Sequence, residues 1–179
     1  MAADLTVVTG RPPVAVIGIG NRMRGDDGLG PAAIDLLAGG PDLPAGTVET
    51  IVLDGEPTRL VDAWDQRRLA VVVDAIVTGE RPGTAHRFEV GPEGEGESAD
   101  DELPVPRAGP SSHGAGPAEA VALGRVLGRL PARLVFIGLE PAVLDLNPQL
   151  SPPVRSALPG LLTMIRSELQ TIDWADSDG

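Results

Sequence analysis

A chain of 179 residues, 42% of them hydrophobic, has the size and apolar content for one domain with a sizeable core. Its formal net charge of -12 opposes phosphate backbones, so nucleic acid is not an expected partner. With no cysteine it has no disulfide, thiolate ligand or cysteine nucleophile, and with 2% aromatics it lacks the rings for a base-stacking surface. The opening MAADLTVVTGRPP carries an acid where a signal peptide carries positive charge, and no apolar run approaches membrane-spanning length. A cytoplasmic chain without membrane contact is expected.

Val14 to Ile19 (VAVIGI) is a short, continuous apolar run ending in glycines, the pattern of a strand buried on both faces of a parallel sheet. GNRMRGDDGLG leads to PAAIDLLAGG, a predicted helix with Pro31 in its first turn, Ile34, Leu36 and Leu37 as apolar contacts, and Gly39 and Gly40 as its stop. Val48 to Leu53 predicts a second strand, EPTRLVDAW a short helix, and Leu69 to Val73 a third strand that ends at Asp74. Thr84 to Val90 alternates as a strand does. The following GPEGEGESADDELPVPRAGP, about residues 91–110, has no apolar period and reads as a mobile surface loop rich in Gly, Pro and acids. Pro117 to Leu130 has helical spacing, Arg133 to Leu139 is another buried-type strand, Pro153 to Leu169 is a closing helix, and the tail 171–179 reads as frayed. The alternation predicts parallel strands joined by crossovers, in one domain over residues 1–179 with its core at about 14–169.

Ligands of open parallel sheets gather beyond the carboxyl ends of the strands, so polar residues there are the first candidates. In GIGNRMRGDDGLG, Gly18, Gly20 and Asn21 make a tight exit from the strand, and Asp26 and Asp27 stand side by side. Adjacent carboxylates in a glycine-rich loop are a candidate cation site; the alternative is that one of them caps the helix that starts nearby. Asp74 leaves an apolar strand, where an unpaired buried carboxylate is costly, so its side chain is expected at the sheet edge in a functional role. His113, in PSSHGAGPAEA, could ligate a metal or act as a base, although a lone loop histidine usually does neither. His86 reads as a surface or packing residue of the alternating strand. Arg22 and Arg24 are the only basic residues of the key loop and read as solvated or paired with Asp26. No GxxxxGK[ST], HExxH, GxSxG or CxxC occurs, which removes the commonest phosphate-loop, zincin, serine-hydrolase and zinc-ribbon readings. GIGN is not GxGxxG, and the helix begins too late for a dinucleotide loop.

Taken together, VAVIGIGNRMRGDDGLGPAAIDLL, VVVDAI, SSHGAGPAEAVAL and LVFIGLEPAVLDLNPQLSPPV resemble, in order and spacing, the successive motifs of the nickel-iron hydrogenase maturation endopeptidases. The resemblance spans Val14 to about Leu169, and its most specific piece is GNxxxxDDGxG after an apolar strand. It implies an α/β fold, a three-layer α/β/α sandwich around a mostly parallel twisted sheet of the phosphorylase/hydrolase-like kind. It implies an endopeptidase that removes a C-terminal extension from the hydrogenase large-subunit precursor once nickel is inserted. The nickel, part of the recognition signal, would come with the precursor, and no organic cofactor is implied.

Carried over position by position, the family's metal-contacting and catalytic residues fall on Asp27, Asp74 and His113, with Asp26, Gly20 and Asn21 in support. Two carboxylates and an imidazole can give three ligands to a borderline divalent metal, and without thiolates a resting site is expected to bind weakly. Some members carry glutamate where Asp27 stands, so the shorter side chain needs its backbone closer to the metal. Some carry glutamine where this chain has Gly114, which removes a polar contact beside His113. The acidic insertion ahead of His113 is a candidate specificity element. The simplest mechanism is attack by water on the scissile carbonyl with help from a carboxylate base. Two other readings stand beside it: a non-proteolytic module that checks nickel status or holds the precursor, and a phosphorylase-like nucleotide-binding protein, for which phosphate-binding basic residues are short.

Overall fold

Five strands, β1 (Val14–Ile19), β2 (Val48–Leu53), β3 (Leu69–Ala75), β4 (Ala85–Val90) and β5 (Leu134–Leu139), form one sheet in the order β2-β1-β3-β5-β4. The computed structural model describes residues 10–40, 43, 46–90 and 116–172. The expected acidic loop at 91–110, together with His113 and Gly114, lies outside the described residues, as does the tail from residue 173. Helices α1 (Leu29–Ala38), α2 (Pro57–Trp64), α3 (Pro117–Leu127) and α4 (Pro152–Gln170) complete the fold.

Strands β2, β1, β3 and β5 run parallel, and β4 runs antiparallel to β5. The sheet is thus mostly parallel, as expected, with one antiparallel pair at its β4 edge. A crossover between parallel strands needs a dozen or more residues, usually with a helix. The connection from Ala75 to Ala85 has no room for one, so the chain re-enters the sheet in the opposite direction.

Side chains alternate across a strand, and here both faces are covered. Val14 and Val16, Leu69, Val71 and Val73, and Val135, Ile137 and Leu139 pack with α1 and α4. Ala15, Ile17 and Ile19, Ala70 and Val72, and Leu134 and Phe136 pack with α2 and α3 around the fully buried Trp64. The result is the expected α/β/α sandwich. Each enclosed aliphatic or phenyl group contributes roughly 1.5–3 kcal/mol, which is why the near-continuous apolar runs occupy the middle of the sheet.

Helix boundaries follow local chemistry. The N-terminus of α2 is capped by the Glu56 carboxylate, which accepts the Thr58 and Arg59 amides. Helix α3 stops at Leu127, short of the expected Leu130, because Gly128 caps it and the Arg129 amide turns back to the Gly124 carbonyl. Helix α1 begins two residues ahead of Pro31, continuing a short 3-10 turn at Gly25–Gly28. Among the described residues, no helix is long and apolar enough to cross a membrane.

Candidate functional site

The carboxyl edge of the sheet is built by close backbone approach. Gly30, in the first turn of α1, lies against the ends of β1 and β3, where a Cβ would collide with the carbonyl oxygens of Ile19 and Val73. Gly20, at φ 131°, touches the carbonyl of Asp27, and no other residue fits there. The Asn21 amide donates to both the Asp27 carbonyl (3.1 Å) and its Oδ2 (3.0 Å). These contacts set Asp27 over the exit of β1.

Asp74 is the penultimate residue of β3, in the side-chain set that faces α2 and α3. The Ala75 amide donates to its Oδ1 at 2.8 Å. Burial pushes the Asp74 carboxyl up to about 8, the Ala75 hydrogen bond opposes the shift, and the Asp27 charge adds to it. Asp27 and Asp74 thus stand at the exits of neighbouring parallel strands, where their negative charges oppose one another. The donor set fits a divalent metal as an incomplete one: two carboxylates from this edge, with His113 outside the described residues. Among the described residues, no group of three or more metal-ligating side chains converges.

Asp26 orders the loop beside Asp27, in keeping with the supporting place that the resemblance gives it. It has no solvent exposure and caps no helix. Its Oδ2 accepts the amides of Ala142 (2.7 Å) and Val143 (3.0 Å), and its Oδ1 accepts that of Ser151 (2.7 Å). With both oxygens committed to amides it is a clasp, not a cation ligand. The Asp26 amide returns a bond to the Val143 carbonyl, Gly25 bonds the Asn147 carbonyl, and Asn147 bonds that of Met23. Because β3 lies between β1 and β5, the loops that follow β1 and β5 join as an arch across the exit of β3.

Arg22 pairs with Asp35 instead of Asp26, at 2.5 Å. His86 is packed on β4: its ring stacks on Phe88, with centroids 6.1 Å apart, and its Nε2 is 3.2 Å from Oε2 of Glu140. Glu140 was missed. It follows the apolar strand RLVFIGL as Asp74 follows VVV, so the rule that selected Asp74 also selects Glu140. Helix α3 runs down the sheet, since Arg129 beyond its end bonds Asp65 and Asp62 near the start of β3. Its first residue, Pro117, four positions after His113, therefore belongs to the carboxyl edge.

The sequence profile of the hydrogenase maturation protease family matches residues 49–168, a span that includes Asp74 and Glu140 and begins after Asp27. The chain is 32% identical over 156 residues to the hydrogenase expression/formation protein HupD of Thiocapsa roseopersicina, covering 82% of this chain and 65% of that relative. It thus spans just under two thirds of that relative's length. Identity to HupD of Rhizobium leguminosarum bv. viciae is 30%, over 84% of this chain and 71% of the relative. Among solved structures, the hydrogenase maturating endopeptidase HybD from E. coli aligns with a TM-score of 0.69 at 25% identity, covering 88% of this chain and 92% of that one. An endopeptidase from Escherichia coli solved in solution shares the fold, with a TM-score of 0.70 at 22% identity over 92% of this chain and 99% of that one. The chain belongs to the hydrogenase maturation protease family.

Proposed function

We propose that this chain is an endopeptidase that removes the C-terminal extension of a nickel-loaded hydrogenase large-subunit precursor. The feature that supports the reading is the placement of Asp27 over the exit of β1 and of Asp74 at the end of the adjacent parallel strand β3, where burial first and the Asp27 charge second raise the Asp74 carboxyl. Nickel arrives as part of the substrate. Asp27 and Asp74 offer it oxygen donors, His113 offers an imidazole, and the ordinary ligand preferences of a borderline divalent ion accept that set. A carboxylate at this edge is also placed to take a proton from water as it attacks the scissile carbonyl.

The deciding measurement is the intact mass of a verified precursor, nickel-loaded and nickel-free, before and after incubation with the protein. Loss of a C-terminal peptide from the loaded form alone is expected, and Asp74→Asn, folded but a weaker ligand, should leave that mass unchanged. An unchanged mass with the unsubstituted protein would instead make Asp27, Asp74 and His113 recognition groups of a non-cleaving module.

A further inference from the structure

Glu140 is a buried carboxylate at the same edge, 4% exposed, that is no part of the Asp27–Asp74 pair. Its Oε2 accepts the amide and the hydroxyl of Thr78, both at 2.8 Å, and its Oε1 accepts the amide of Gly79 at 3.0 Å. Its backbone holds the other end of the same connection: the Glu140 amide donates to the Thr84 carbonyl, and its carbonyl accepts the Gly83 amide, both at 2.8 Å. One residue therefore grips the β3–β4 connection at its start and its finish. Burial opposes ionisation of Glu140, but the Thr78 and Gly79 amides, the Thr78 hydroxyl and His86 outweigh it and hold the carboxyl below the ordinary range.

The gripped segment begins two residues after Asp74. The Ile76 amide donates to the Leu139 carbonyl at 3.0 Å, and its fully buried side chain lies over Gly138, where an added Cβ would strike it. Gly138 stands in register with Asp74 on one side and His86 on the other. Across the sheet this row reads carboxylate, empty position, imidazole, with Ile76 filling the gap. Ile76 is a wall beside Asp74, and Glu140 fixes the backbone that carries the wall.

Resting on the peptidase reading above, we propose that Glu140 is a positioning residue: by holding Thr78 and Gly79 it keeps Ile76 over Gly138 and confines the Asp74 carboxyl to the side of Asp27. Two readouts test this in Glu140→Gln, at a temperature where circular dichroism shows the variant folded. Three-bond couplings to the Asp74 Cγ, measured without precursor, should report one rotamer in the unsubstituted protein and averaged rotamers in the variant. The kcat for nickel-loaded precursor should fall about 10–100-fold, as for other lost outer hydrogen-bond partners of a metal-contacting group, with KM moving less. A role in stability alone moves neither quantity per folded molecule.

Unchanged Asp74 couplings overturn the proposal whatever happens to kcat, and so does an unchanged kcat with altered couplings. If the unsubstituted protein cleaves nothing, the peptidase reading fails, while the couplings still decide whether Glu140 sets Asp74. Should Glu140→Gln not fold, Thr78→Val removes one donor of the clamp from its other side, and the same two readouts apply.

Discussion

Asparagine at position 26 would exchange one oxygen for an amide inside a group with no solvent exposure. Its carbonyl could keep the Ala142 and Val143 amides, but its NH2 would then face the Ser151 amide, donor against donor. One charge-assisted bond, worth roughly 1.5–3 kcal/mol, is lost, the other two weaken to neutral strength, and a buried amide at the start of α4 is left unsatisfied. The sum is about 3–5 kcal/mol, comparable to removing one partner of a buried charged contact. For a chain of this size that lowers the melting midpoint by roughly 6–20 °C. Thermal and urea unfolding followed by circular dichroism measure the loss. Amide exchange should localise it, with faster exchange at Ala142, Val143 and Ser151 in the folded variant and unchanged protection in β1. An Asp26→Asn protein within about 1 kcal/mol of the parent would refute the clasp as an energetic feature.

Asp74→Asn also bears on pH. The folded carboxyl is held at about 8 against an ordinary value of 3.8, so the fold favours the protonated form. The stability it contributes is complete below 3.8, declines as pH rises, and is gone above about 8. Metal-free Asp74→Asn should therefore lose less stability than the parent between about pH 5 and about pH 8 in urea titrations, and parallel curves would contradict the shift. Gly30→Ala puts a methyl against the Ile19 and Val73 carbonyls, and the helix must back away from the sheet. Overpacking of that kind costs typically 1–3 kcal/mol, so a midpoint drop of roughly 2–12 °C is expected, together with weaker precursor cleavage; a variant as stable as the parent would show that α1 has slack.

The central strands were legible because two-sided burial writes itself as continuous apolar runs, and VAVIGI, LAVVV and LVFIGL all lie where expected. The place of Asp74 was legible for a related reason, since a polar residue that ends such a run emerges at the carboxyl edge. The direction of β4 was not legible: alternation marks a half-covered strand without fixing its sense, and only the shortness of the connection from Ala75 carries that information. The partners of Asp26 were not legible, because they lie 116 to 125 residues further along the chain, beyond any local pattern. Glu140 carried a usable signal in the strand that it ends, while its grip on Thr78 and Gly79, 62 and 61 residues back, lay beyond any local pattern.

The arch between the loops after β1 and β5 stands on the side of α1 and α4, because one of its feet leads into each of those helices. Asp74 belongs to the opposite side-chain set. Among the described residues, the two flanks of this edge therefore differ in chemistry: the backbone of the arch lies on the side of α1 and α4 and the Asp74 carboxylate on the side of α2 and α3, so the proposed reaction would bring a scissile carbonyl to the second.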